Sequence, residues 1–175
     1  MPSVEATQQI TVRKARPRDV RAIRSLVAPY AAERILLEKE AVAYFESIQE
    51  FRVAEDASGE VVGCGALHCM WEDIVEVRTL AVSSAVRGTG TGHQLLEALL
   101  QDARELGVHR VFCLTFEVDF FRKHGFEVMA EQSAVDPEVF AELLRSQDDG
   151  VAEFLDLARV KQNTLGNTRM ITTLA

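Results

Sequence analysis

The sequence predicts an α/β protein of the α+β kind, with a mixed, mostly antiparallel sheet flanked by helices, and three observations predict it. Runs rich in β-branched residues follow one another through residues 51–82 with only short turns between them, which makes a meander of antiparallel neighbours. A leucine-rich amphipathic segment then separates Ile74–Val82 from the apolar run Arg110–Thr115, and strand, helix, strand in that order demands a crossover and one parallel pair. The 175 residues, 47% of them hydrophobic, carry no internal repeat and no Pro/Gly/Ser linker, so residues 1–175 are expected to share one core as a single domain.

Residues 1–9 are polar and aperiodic and read as a flexible tail before a first strand, Ile10–Lys14. Arg16-Pro17-Arg18-Asp19 starts a helix whose apolar positions Val20, Ile23, Leu26 and Val27 recur at helical spacing until Pro29 intervenes. A second helix is expected over Lys39–Ile48 on the stripe Val42, Phe45 and Ile48. Phe51–Ala54 and Val61–His68, joined by the turn Asp56-Ala57-Ser58-Gly59, form a hairpin to which Ile74–Val82 adds a strand. Leu95, Leu96, Leu99, Leu100 and Ala103 line one face of the next helix, which Gly107 stops. Arg110–Thr115 reads as a strand buried on both faces. Phe120–His124 makes a short helix closed by Gly125, and Phe126–Met129 is extended. Residues 131–175 hold a helix opened by Asp136-Pro137-Glu138 with an N-cap and a first-turn proline, a second helix over Val151–Leu157, and a closing strand Thr168–Leu174.

Charge excludes some partners. Lys plus Arg number 19 against 27 Asp plus Glu, a net charge of -8, which opposes phosphate-backbone binding. No stretch approaches the roughly 18 apolar residues that span a bilayer, and no secretory leader precedes the first strand, so a cytoplasmic protein is expected. Cys64, Cys69 and Cys113 sit inside apolar runs and read as buried thiols of a reducing compartment. A metal cluster of His68, Cys64 and Cys69 is rejected, because alternation puts Cys69 on the face opposite the other two.

The chemistry concentrates in Arg87-Gly88-Thr89-Gly90-Thr91-Gly92, between a strand and the leucine-rich helix. Alternating glycines free the backbone N–H groups to point outward, the helix dipole adds positive potential, and Arg87 adds a charge, so a pyrophosphate is the natural guest. The alternative is a glycine-rich connection that binds nothing. Two familiar phosphate loops fail on spacing: Gly92 is followed by His93-Gln94 rather than Lys-Ser/Thr, and the third glycine of a dinucleotide fingerprint would fall on His93.

Leu80-Ala81-Val82 followed by Arg87 to Gly92 resembles the coenzyme A loop of the GNAT acetyltransferases, Arg/Gln-x-x-Gly-x-Gly/Ala after an apolar-Ala-Val triplet. Phe120-Phe121-Arg122-Lys123-His124-Gly125-Phe126 resembles the family's second motif. The resemblance covers roughly residues 10–129. It implies a GNAT fold with a splayed parallel pair, acetyl-CoA as co-substrate, and a cofactor site at Leu80, Ala81, Val82, Arg87, Gly88, Thr89, Gly90, Thr91, Gly92, His93, Phe121 and Arg122. It also implies that the Leu80 N–H polarises the acetyl carbonyl, an oxyanion role, and that Glu76 is a general base. By period-two alternation Glu76, Arg78 and Leu80 share one strand face, and Glu76 could equally be a strand carboxylate paired with Arg78 or Arg110. Where many members place a tyrosine acid, this chain has Phe121.

Ile35-Leu36-Leu37, Gly63-Cys64-Gly65-Ala66-Leu67-His68 and Phe121 to Phe126 look most like the acetyltransferase domain of N-acetylglutamate synthases, which begin arginine biosynthesis. That resemblance implies an amino-acid acceptor, L-glutamate or L-glutamine, with Arg78, His68 and Arg169 as its carboxylate partners, although His68 could equally be a satisfied sheet histidine. Ala28-Pro29 stands where the family often has Arg-Pro, which removes one clamp and favours glutamine as a competitor. No counterpart of the amino-acid-kinase-like domain of long synthases is present in these residues, which reads as a short form. A homodimer through sheet edges is compatible with the pattern. The competing readings are a GNAT acting on protein N-termini or lysines and a non-catalytic acyl-CoA-binding sensor.

Overall fold

The structure, a computed structural model, describes residues 9–36, 39–129, 135–155 and 167–175. Strands β1 (Thr11–Lys14), β2 (Phe51–Glu55), β3 (Val61–Trp71), β4 (Ile74–Val82), β5 (Arg110–Thr115), β6 (Glu127–Val128) and β7 (Thr168–Thr173) form one sheet in the order β1-β2-β3-β4-β5-β7-β6. The expected meander is β1 to β4, antiparallel throughout. The expected parallel pair is β4 with β5, and β7 inserts antiparallel between β5 and β6.

Helices α1 (Val20–Ala32) and α2 (Ala41–Glu46) cover one face, packing Val20, Ile23, Val27 and Tyr44 on Val53, Cys64, Ala66 and Ala81. Helix α3 (Thr91–Glu105) covers the other, where the predicted stripe Leu95, Leu96, Leu99, Leu100 and Ala103 is fully buried. The short α4 (Val118–Arg122) joins α3's side through Phe121, which meets Phe126 edge-on. Helices α5 (Pro137–Leu143) and α6 (Asp149–Phe154) return to the face of α1, where Val151 and Phe154 pack on Ile74 and Phe112.

Several local expectations are corrected. Helix α1 runs past Pro29 to Ala32, because Pro29 removes only one hydrogen bond near the end of a helix whose last turn is tied to the sheet by Tyr30 Oη donating to Val82 O at 2.8 Å. Of the expected stripe Val42, Phe45 and Ile48, only Ile48 is buried. In α2 it is Tyr44 that is buried, with Ile48 of the 3-10 turn that follows Ser47, while Val42 and Phe45 stand exposed. Strand β6 is shorter than expected, since Phe126 turns into the α3 core instead. Asp136 makes no side-chain capping bond to α5. Cys69 is exposed, whereas Cys64 and Cys113 are buried. The end of the helix expected over Val151–Leu157 lies outside the described residues. No helix among those described is long and apolar enough to cross a membrane.

One buried charge ties α3 to the antiparallel end of the sheet. Asp102, on the inner side of α3, accepts from Arg52 Nε and Nη2 at 2.8 and 2.7 Å and from Lys14 Nζ at 3.0 Å. Burial alone would raise its carboxyl, but these cations hold it below the usual range. A carboxyl lowered by folding stabilises the protein above its ordinary value, and that stability disappears as pH falls through the lowered folded value. Asp102→Asn is therefore expected to cost about 2 kcal/mol at pH 7, chiefly through Arg52. Urea unfolding at neutral and acid pH should show this deficit shrinking as the wild-type carboxylate protonates.

Candidate active site

Pairing between β4 and β5 runs through Ile74↔Arg110, Val75↔Val111 and Glu76↔Phe112 and then stops. Residues Cys113–Thr115 stay paired with β7, so Val77–Val82 of β4 lose their β5 neighbour and the strands part. Along this stretch β4 is irregular. On its β3 side Arg78 pairs with Ala66 and Ala81 with Cys64, leaving Gly65 opposite both Thr79 and Leu80. Thr79 has φ 55°, an uncommon value for a β-branched residue, and marks the bulge.

The bulge corrects the face assignment. Glu76 and Arg78 point to the side of α6, but the extra residue reverses the phase, so Leu80 packs toward Leu99 of α3 instead of sharing their face. What Leu80 offers on the open edge is its backbone.

The glycine turn lies just beyond β4. Gly88 and Gly90 have φ of 77° and 88°, a left-handed backbone that an L side chain rarely adopts, and Gly90 is the N-cap of α3. The N–H groups of Gly88, Gly90, Thr91, Gly92 and His93 find no acceptor among the described residues, as the start of a helix requires. Thr89 Oγ1 donates to Val86 O at 2.6 Å and lies 2.9 Å from Thr91 Oγ1, which closes the turn behind these donors. The exposed Arg87 guanidinium is 5.6 Å from the Tyr30 ring centre and donates to its hydroxyl at 3.3 Å. Phe121 is a core residue, and it is the neighbouring Phe120 whose ring lies against Gly92 and, at 4.6 Å between centres, against His93. His93 Nδ1 is 2.7 Å from His124 Nε2, and Arg122 is an exposed partner of Asp119.

On the α6 side of the bulge is a cavity of about 390 Å³, bordered by Leu36, Lys39, Glu50, His68, Glu76, Arg78, Thr79, Leu114, Asp148, Gly150, Glu153 and Asn167. Arg78 organises it. Its guanidinium donates to Glu76 Oε2 at 2.5 and 3.1 Å and to both Asp148 oxygens at 2.7 and 2.8 Å. Burial would weaken the Arg78 charge, but the two carboxylates hold its pKa above the ordinary arginine value. Burial would likewise raise Asp148, and Arg78 brings it far below the usual carboxylate range. Asp148 Oδ1 also accepts from Val151 N at 3.0 Å, so the same carboxylate caps α6.

His68 Nδ1 is 2.7 Å from Glu50 Oε1, and its Nε2 lies 3.8 Å from Asp148. Arg169 does not border the cavity. Its Nη2 donates to Phe154 O at the end of α6, while Arg110 pairs with Asp73. Sequence reasoning singled out none of Lys39, Glu50, Asp148 and Glu153. Lys39 forms no ion pair among the described residues, and burial together with Arg78 lowers its ammonium pKa. Glu153 is buried inside the apolar run Val151–Leu155, and a lone carboxylate in such a run was the available signal.

Comparison with known proteins places this architecture. A family model described as Acetyltransferase (GNAT) domain matches residues 47–128. The amino-acid acetyltransferase of Mycobacterium tuberculosis is 55% identical over 165 residues, 93% of this chain and 94% of that protein. A crystal structure of a Mycobacterium tuberculosis protein in complex with CoA and the ligand designated NLQ superposes with a TM-score of 0.90 at 54% identity, covering 94% of this chain and 99% of that one. The N-acetylglutamate synthase of Neisseria gonorrhoeae, complexed with coenzyme A and N-acetyl-glutamate, shares the fold with a TM-score of 0.75 at 24% identity, over 95% of this chain and 35% of that one. The fold is that of an acetyl-CoA-dependent transferase. The chain belongs to the GNAT acetyltransferase family.

Gly150 shows how tightly α6 closes on this site. A Cβ there would fall on the Glu76 carboxylate and the Arg78 guanidinium, both held by their own hydrogen bonds. Gly150→Ala is expected to push α6 off β4, lowering the melting temperature by several degrees in a thermal scan and raising the acceptor KM more than the acetyl-CoA KM.

Proposed function

We propose that the protein transfers the acetyl group of acetyl-CoA to the α-amine of a free amino acid, L-glutamate or L-glutamine. The observation that carries this reading is the charged cavity opening at Thr79, directly beside the unpaired edge of β4 at Leu80. A pocket of a few hundred Å³ suits a single small molecule.

In this reading the pyrophosphate of acetyl-CoA takes the free N–H groups of Gly88 to His93, with Arg87 contributing charge. The pantetheine amides add to the open edge of β4 as a further strand would. Leu80 N–H donates to the thioester oxygen and stabilises the charge that grows there as the amine attacks, an effect of a few kcal/mol. The thiolate, with a free pKa near ~8.5, leaves without a tyrosine acid, since position 121 is a buried phenylalanine.

The acceptor carboxylate goes to Lys39, because Arg78 is already engaged by Glu76 and Asp148 and His68 by Glu50. Glu76 reaches the same cavity and, through Arg78, fixes its wall. With Glu50, Glu76 and Asp148 around one unengaged ammonium, a second substrate carboxylate is repelled, so the neutral amide of glutamine is preferred over glutamate. A reducing, cytoplasmic setting suits the three free thiols, Cys69 being exposed.

Thiol release from acetyl-CoA against glutamine, glutamate, other amino acids and a lysine peptide tests this. Saturable release with glutamine, weaker release with glutamate and none with the peptide are expected. Lys39→Ala should raise the amino-acid KM on the order of 10-fold or more while leaving the acetyl-CoA KM unchanged. Release only with the peptide would replace the amino-acid reading by a protein acetyltransferase. Arg87→Ala and Gly90→Ala should each weaken acetyl-CoA binding by about 10-fold, the first in a salt-dependent way, measured by calorimetry.

A further inference from the structure

We infer that Glu153 takes the proton from the acceptor amine, and that Asn167 is the second acceptor that orients this amine for attack. The inference rests on the amino-acid reading of the cavity and names a group that reading leaves open.

Glu153, on the last turn of α6, is 7% exposed, and its Oε1 is buried with no hydrogen-bond donor. Asn167, just before β7, holds a buried Oδ1 that also lacks a donor. Both residues border the same cavity. Buried acceptors are paired almost everywhere in folded proteins because an unpaired one is costly, so two on residues that border one cavity point to a donor that arrives with a ligand. An ammonium group supplies three N–H donors and no acceptor, which is the complement of this pair.

Of the other carboxylates bordering the cavity, Glu46 and Asp149 stand exposed to solvent, and the three that are at least partly buried are committed. Glu76 Oε2 takes both bonds from Arg78, Asp148 is spent on Arg78 and the cap of α6, and Glu50 holds His68. The charged groups that face Glu153 are Glu76 and Arg78 from β4, Asp149 from the start of its own helix, and Lys39 from the segment before α2. Burial pushes its carboxyl up to about 8, with Glu76 and Asp149 adding to the rise and Arg78 and Lys39 opposing it. The α-amine of a free amino acid titrates higher than that of a chain terminus, near ~9, so proton transfer to Glu153 is uphill by only about one unit, and near neutrality about one amine in a hundred is neutral without help.

The step closes in atoms and charge. The ammonium gives one proton to Glu153 Oε1, and the neutral amine forms the C–N bond at the thioester carbonyl. Collapse of the tetrahedral adduct breaks the C–S bond, the thiolate takes the second nitrogen proton, and Glu153 returns its proton to solvent as the acetylated product leaves.

The test compares wild type with Glu153→Gln, which keeps the shape of the side chain, from about pH 7 to about pH 10 with the best amino acid of the panel. The variant should lose roughly 100-fold in kcat near neutrality at an unchanged acetyl-CoA KM, and the loss should shrink to a few-fold once the free amine is neutral without help. A loss that is the same at both ends, or under about threefold near neutrality, overturns the inference. Asn167→Ala should raise the amino-acid KM and keep the wild-type pH profile; a KM left unchanged would remove Asn167 from the proposal. If wild type acetylates no free amino acid, the amino-acid reading fails separately. The inference is then read by carbon-13 NMR of carboxyl-labelled glutamates with acetyl-CoA bound. A resonance absent from Glu153→Gln that titrates near 8 and shifts with added methylammonium supports it, and one titrating in the ordinary carboxylate range, or indifferent to methylammonium, overturns it.

Discussion

The parting of β4 from β5 beyond Glu76 is the constraint on which the rest of this protein depends. Strand β5 keeps β7 on its other side, and β4 keeps β3, so each remains held while the edges between them stay open. An unpaired strand edge is ordinarily a liability, since its N–H and C=O groups invite another chain. Here the bulge at Thr79 distorts the edge, and the glycine turn that leads into α3 follows the end of β4 in the chain. In the proposed reading the coenzyme meets largely main-chain groups, which would make the glycines of the loop matter more than any charged side chain.

The acceptor side is organised in the opposite way, by side-chain charge. Arg78 reaches from β4 to Glu76 beside it and to Asp148 at the start of α6, and Asp148 in turn caps that helix. A buried cluster of this kind contributes little net stability compared with well-packed apolar residues. What it contributes is position. It docks α6 over the splayed strands, and Gly150 lets the helix approach closely enough to bring Glu153 into the cavity. Arg78, which looks from its type like a substrate clamp, is paired with Glu76 and Asp148, whereas Lys39 makes no ion pair among the described residues.

Sequence patterns were read well wherever the signal was local and repeated. The leucine face of α3, the meander, the parallel crossover and the glycine turn all follow from spacing that the structure reproduces. Reading failed where one residue changed the phase. Alternation placed Leu80 with Glu76 and Arg78, and a single bulged threonine moved it to the opposite face, because period-two arguments carry no information about an extra residue. Arg169 was assigned to the cavity by analogy with the end of a related domain, but the register Arg169↔Leu114 directs it to Phe154 O at the end of α6.

The sequence by itself determined the fold class, the family and the glycine turn at the start of α3, because these rest on residue types at short, fixed separations whose backbone consequences are local. It determined less about the acceptor. Whether Arg78, His68, Lys39 or Glu153 is available to a substrate depends on which partners each has already found, and those partners, Glu76, Asp148 and Glu50, come from separate elements that meet only when α6 folds back over β4. Charge type is written in the chain, but its desolvation and pairing are properties of the packed molecule, and only the tertiary structure decided them.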